Sequence, residues 1–404
     1  TPPSTGPATC SGGSAGDYPC SKIDLGAFVS HADLGSTDLR GNDIWGWTDE
    51  EGNEFAIAGC SDGTSFVDVT NPDEPVVIGF LEGTTVPSNW RDMKVFKNYA
   101  YIGSEALNHG LQVFDMSQLT TAAKKHRDFM SRARLRSKRD IAKDGHIKLG
   151  LKLNATTTYA EFGSSHNVVI NEESGFLYAV GTKTCAGGLH IVDLNTDPSD
   201  PQFVACYSDD GYTHDSECVM YHGPDTRYTD HEICFNYNED TLTLVDVTDK
   251  NNMVEISRTP YEGAYYTHQG WLNPSQSHLV MDDEKDEQQY EALNGHTRTM
   301  IWDVSDLSAP FINGNFYSEE TSIDHNQYMH EGYIWQSNYC AGLRVLDASK
   351  MEEGTLTEVA YFDVAPECDT PVFTGAWSVY PYFKSGNVIV QSIEKGLFVV
   401  KPKL

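Results

Sequence analysis

The sequence predicts an all-β fold, a seven-bladed β-propeller, on three observations. One short alternating apolar phrase ending near Asp recurs seven times, the copies are spaced like blades, and the N-terminus offers a strand that the last copy lacks. The copies read SFVDVTNPDEP (65–75), LQVFDMSQL (111–119), LHIVDLNTDPSDP (189–201), LTLVDVTDK (242–250), TMIWDVSDLSAP (299–310), LRVLDASKM (343–351) and LFVVKPKL (397–404). Their apolar residues alternate with period two, as a half-buried strand requires, and Asp with Pro supplies the following turn.

A second strand-like run follows the early copies: VVIGFLEG (76–83), a weaker run after the second copy, QFVACYSD (202–209), MVEISRTPY (253–261), FINGNFYSE (311–319) and EVAYFDV (358–364). The seventh copy ends the chain without one, whereas KIDLGAFVS (22–30) has the same character and precedes the first copy. Residues 22–404 therefore read as one propeller whose last blade is completed by the N-terminal strand, which removes the open edges of a linear array. Residues 1–21 form an extension bearing Cys10 and Cys20.

The second unit is interrupted over about 120–160. Residues 122–152 hold eleven Lys and Arg against three Asp and Glu, so this segment is near +8 while the rest of the chain is near −39. Its Ala, Arg, Lys and Met content favours helix, and Phe129, Met130, Leu135 and Ile141 make a partial apolar stripe. The expectation is a basic, partly helical insertion in blade 2. It either folds back on the acidic propeller or docks an acidic protein, a polyanion, a membrane surface or another copy of the chain.

Net charge is −31, from 28 basic and 59 acidic residues, which argues against nucleic acid as a partner. The 21 Tyr, 17 Phe and 7 Trp exclude a disordered acidic chain. No apolar run is long enough to span a membrane. The start at Thr1, without Met, fits a mature exported protein. Nine cysteines without zinc-ribbon spacing point to disulfides in an oxidising compartment. The expected pairs are Cys10 with Cys20, Cys185 with Cys206, Cys218 with Cys234 and Cys340 with Cys368, leaving Cys60 over, although sequence does not fix connectivity.

Aligning the units on their first strands exposes the chemical signal. The first column reads Asn42, Arg91, His166, His214, His268, His325, Trp377, and the second Asp43, Asp92, Asn167, Asp215, Gln269, Asn326, Ser378. First strands line a propeller's channel, so two polar rings should surround one mouth. His166, His214, His268 and His325 would hold a divalent metal such as Zn, Cu or Fe, with second-ring groups orienting the imidazoles. The competing reading is a wet channel whose rings bond to carbonyls of neighbouring blades. Turns between second and third strands should bring Glu105, Asp282, Asp283, Glu284 and Glu394 to the same face, with Glu105 or Asp283 as candidate base. The dense turn Asp282–Glu287 is either a solvated acidic loop or a Ca²⁺ site. His31 and His109 read as loop histidines bordering the mouth. Neither GxSxG, a P-loop nor a strand-borne GxGxxG occurs.

NDIWGWTD (42–49), GTSFVDVTNPDEPV (63–76), SNWRDMKVFKNYAYIGSEALNHGLQVFD (88–115), DGYTHDSECVMYHGPD (210–225), YTHQGW (266–271) and DHNQYM (324–329) resemble choice-of-anchor B proteins with LVIVD-type repeats. The resemblance implies an exported or cell-surface propeller and brings no settled activity. Three functions follow from the sequence: an extracellular metal-binding or partner-binding propeller, a metal-dependent hydrolase or oxidoreductase, or a component of an extracellular assembly.

Overall fold

The computed structural model describes residues 5–134 and 147–404, with side chains in the first stretch as far as Asp128. Of the expected apolar stripe, Phe129, Met130, Leu135 and Ile141 lie outside the described side chains. Seven sheets, each built on four antiparallel strands, form the blades. Each recurring phrase is the third strand of its blade: Gly63–Asp68, Leu111–Asp115, Leu189–Asp193, Thr241–Asp246, His296–Asp303, Leu343–Asp347 and Gly396–Pro402. The alternation fits because one face of each sheet packs on the preceding blade and the other on the next.

The last sheet runs Ala376–Tyr380, Val388–Ser392, Gly396–Pro402 and then Ile23–Ser30, so the N-terminal strand closes the ring as expected. Two outer edges carry additional strands. Tyr18–Ser21 and Ser14–Ala15, from the N-terminal extension, continue blade 6 beyond Thr357–Phe362. Ile147–Leu153, from the basic insertion, pairs in parallel with Val76–Glu82 at the edge of blade 1. The weak fourth strand of blade 2 is only Thr157–Tyr159.

The core lies between blades as a ring of separate apolar clusters. Between blades 1 and 2, Phe66 and Phe114 stack at 4.5 Å between centroids, beside Phe55, Ile57 and Met93. The helix Ser117–Arg134 leaves blade 2 directly after its third strand and buries Leu119 and Ala123, one turn apart, in the same cluster. Arg127 reaches Asp68 at 2.8 Å and Lys152 reaches Glu82 at 3.0 Å. The described part of the insertion thus folds back on blade 1; residues 135–146 lie outside the described ones.

All four expected disulfides are present, and Cys60 is free and buried. Cys218 and Cys234 face each other on the first two strands of blade 4. No described helix is long and apolar enough to cross a membrane.

Candidate metal centre

The four column histidines sit at the starts of four consecutive inner strands: Asn167–Asn171, Asp215–Met220, Thr267–Leu272 and Gln327–His330. Their rings form an unbroken arc, with centroids 4.2 Å apart for His166 and His214, 4.3 Å for His214 and His268, and 4.4 Å for His268 and His325. Tyr339 and Trp377 extend the arc beyond His325 at 4.6 and 5.2 Å.

Every Nδ1 in the arc is engaged away from its neighbours' rings. His166 Nδ1 meets Glu105 Oε1 at 2.5 Å, and His268 Nδ1 meets Asp282 Oδ1 at 3.0 Å. His214 Nδ1 donates to the His268 carbonyl at 2.8 Å, and His325 Nδ1 to the Trp377 carbonyl at 2.5 Å. A carbonyl only accepts, so both rings carry a proton on Nδ1, which leaves Nε2 as the atom each turns to the channel.

The second ring does not orient the imidazoles, which corrects the sequence expectation. Its members instead tie their own strand or the next blade. Asp43 and Asp215 each accept from the following backbone N–H. Asn167 donates to the His214 carbonyl, Gln269 to that of Gln327, and Asn326 to that of Trp377. Asp92 accepts from Val168 N at 2.6 Å and from Lys94 Nζ at 2.7 Å. Lys94 was not foreseen, although a residue two positions after Asp92 on a strand shares its face.

The acidic turn of blade 5 is buried, not solvated: Asp282, Asp283 and Asp286 are all 0% exposed. Its carboxylates diverge. Asp282 takes His268; Asp283 accepts from Tyr261 Oη and the Tyr265 and Tyr266 amides; Asp286 pairs with Arg298. Glu287 accepts from the Asp324 amide. Asp283, the candidate base, is thereby committed to the Tyr261–Tyr266 segment.

Within this turn Glu284 faces the histidine Nε2 atoms, its Oε1 lying 3.3 Å from His325 Nε2 and 4.0 Å from His268 Nε2 while accepting from Tyr339 Oη at 2.6 Å. Ligand-capable atoms of His214, His268 and Glu284 all lie within 4.8 Å of one another. From the turn Asp282–Glu287, Glu284 is the sole contributor to such a gathered set among the described residues. The other gathered set, Cys185, His190 and Cys206, has its sulfurs joined as a disulfide and offers no thiolate.

Burial, reinforced by the neighbouring imidazoles, holds His214 well below the ordinary histidine range. Burial does the same to His268 against the opposing pull of Glu284. Glu284 moves the other way: burial disfavours its charge, but His268, His325 and Tyr339 outweigh it and bring it down to about 2. The charge of Glu284 is thus answered by a cation at this point, either a proton on the facing imidazoles or an ion bound among them.

Other first-column and loop residues serve the scaffold. Arg91 is buried, donating from Nε to the Cys60 carbonyl and meeting His109 Nε2 at 2.9 Å. His31 bonds through Nε2 to the Ile393 carbonyl at 2.9 Å. Neither His31 nor His109 borders the mouth as a free loop histidine; both are buried. Glu394 accepts from the Gly375 amide.

Comparison with known proteins agrees with the fold. An LVIVD repeat family model matches residues 89–126, which cover the first three strands of blade 2 and the start of its helix. No curated protein matches. Among solved structures, the chain is similar to the WD40 β-propeller domain of Doa1, at 9% identity and a TM-score of 0.55, covering 94% of this chain and 97% of that one. It is also similar to the Cps50 (Swd1) β-propeller domain of Myceliophteria thermophila, at 11% identity and a TM-score of 0.53, covering 90% and 98%. At such identities the likeness speaks for the architecture alone: a seven-bladed propeller carrying an LVIVD repeat in blade 2.

Proposed function

We propose that this protein is a secreted or cell-surface binding propeller of the choice-of-anchor B type that holds a transition metal at its histidine-lined mouth. The reading rests on one observation, the convergence of His214, His268 and Glu284 with the histidine Nδ1 atoms bonded elsewhere. His325 and His166 flank that set. Two imidazoles and a carboxylate suit Zn, Cu or Fe. Four disulfides fit an oxidising, extracellular setting. The basic segment 122–152 is the proposed contact for an acidic protein, a polyanion or a second copy, beyond the basic side chains already spent on blade 1.

Three protein donors leave coordination positions open, as in catalytic zinc sites, and this favours a second reading: a metal-dependent hydrolase or oxidoreductase. Both readings require the metal. Elemental analysis of protein purified without added metal should find about one equivalent, lost in His214→Ala and in Glu284→Gln with the circular dichroism spectrum unchanged. Metal retained in the double variant, or wild-type protein that neither contains nor takes up Zn, Cu or Fe, would sink the proposal.

A further inference from the structure

Beyond the second ring, the channel widens into a chamber of about 630 Å³ lined from all seven blades, within the size range of small-molecule sites. It is lined by later positions of the inner strands than those bearing the histidines. Six aromatic residues line it, Trp47 and a linked set of five: Trp45, Trp271, Tyr328, Tyr380 and Tyr382. They brace one another edge to face, with Trp45 to Tyr380 at 5.1 Å, Trp45 to Tyr328 at 5.5 Å and Trp271 to Tyr328 at 4.9 Å. The walls are therefore pre-formed and need little ordering when a ligand enters.

The charges in this chamber are unequal. Asp215 and Glu217 lie two residues apart on one strand and so share a face. Lys94 Nζ sits 4.7 Å from the Trp45 centroid and 2.7 Å from Asp92, so the chain's own ammonium already uses an aromatic face with a carboxylate beside it. Glu217 has the carboxylate and the aromatic neighbours but no such ammonium. Its Oε2 accepts from Leu272 N at 2.7 Å, and no Lys, Arg or His among the described residues pairs with it. Trp271 precedes that amide in the chain and lines the chamber with Glu217 and Tyr382.

We infer that this chamber binds a small organic cation, an alkylammonium compound whose charge lies against Glu217 and whose alkyl groups pack on Trp271, Trp45, Tyr328 and Tyr382. A ring face attracts a cation through its quadrupole, and the attraction grows when both are desolvated. A buried carboxyl without a basic partner supplies the second half of the recognition: the bound cation favours its ionised form and is held by it. A sugar would also stack on Trp271, but it would draw nothing from ionising Glu217. This site lies beyond the second ring from the histidine mouth and does not depend on a metal there.

The test is calorimetric titration of the protein, as purified, with choline and tetramethylammonium. Parallel titrations use 3,3-dimethylbutan-1-ol, the uncharged isostere of choline, and methyl glucoside. Choline should saturate one site and bind at least tenfold more tightly than the isostere. Glu217→Gln and Trp271→Ala should each weaken choline at least tenfold, Trp271→Phe should recover much of the loss, and Tyr317→Ala on the exposed outer strand should change nothing. Thermal melts of each variant separate lost binding from lost folding, and Glu217→Gln retains the volume and the Leu272 acceptor. The inference is overturned if neither cation saturates, if the isostere binds as well as choline, if the glucoside is preferred, or if folded Glu217→Gln binds choline unchanged.

Discussion

Replacing Glu217 by Gln should stabilise the protein in a pH-dependent manner. Burial is the main force on this carboxyl and, with a smaller push from Asp215, raises it to about 8 against the pull of the Leu272 amide. The folded state therefore keeps a proton on Glu217 between roughly pH 4.5 and 8, where the unfolded chain has released it. The folded state binds more protons in that window, so stability falls as pH rises through it. Each unit costs about 1.4 kcal/mol, and the accumulated cost at pH 7 is on the order of 3 kcal/mol. Glutamine keeps the oxygen that accepts from Leu272 and escapes the titration.

With an unfolding entropy of about 2.1 cal/mol/K per residue, a chain of 404 residues shifts its Tm by about 1 °C per kcal/mol. Melts of both proteins from pH 5 to 8.5 should therefore show nearly equal Tm values at pH 5 and a Gln variant ahead by about 3 °C at pH 7 and about 4 °C at pH 8. Titrating groups shared by both proteins, Asp215 and Asp43 among them, largely cancel in the difference. A gap that stays flat across the pH range, or a wild type that leads at pH 8, refutes the argument that Glu217 is buried without a compensating charge.

Two further outcomes test the scaffold. Burial pushes the Cys60 thiol up to about 12, so Ellman's reagent should find no thiol in the folded, unreduced protein and one after denaturation; a fast-reacting native thiol contradicts that placement. Leu25 is fully buried on the closing strand, opposite Val400, and Leu25→Ala should cost about 2–5 kcal/mol in denaturant unfolding. An unchanged midpoint would mean that the closing strand contributes little to holding the ring shut.

The blades were legible because each recurring phrase carries two independent signals, strand alternation and the Asp-containing turn, and neither needs tertiary context. The histidine column followed from the same register: once the third strands were placed, His166, His214, His268 and His325 had to fall at equivalent points. What those side chains touch was not legible. The partners of His214 and His325 are carbonyls of the next blade, which exist as a pattern only after the ring closes. Asp283 and Glu284 are chemically alike and adjacent, and only the end of the strand His278–Asp283 decides which one faces the imidazoles. The alternation in IKLGLKL was visible, but inside a segment dominated by positive charge it did not reveal a parallel strand added to blade 1.

Lys94 explains why one channel can carry two different chemistries. Asp43, Asp92 and Asp215 come from three blades toward one level of the axis, and three carboxylates there, two of them buried, would repel each other without a counterion. The Lys94 ammonium supplies it: despite the cost of burial, Asp92, Asp43 and Asp215 together raise its proton affinity above the ordinary lysine range. This charged layer lies between the histidine arc and the aromatic chamber. A cation at the histidine mouth answers the local charge of Glu284, while the chamber's uncompensated group is Glu217, and the two carboxylates share no hydrogen-bond partner. The acidity of the chain thus matters inside the channel at Glu284 and Glu217, where a carboxyl group faces rings instead of a lysine or an arginine.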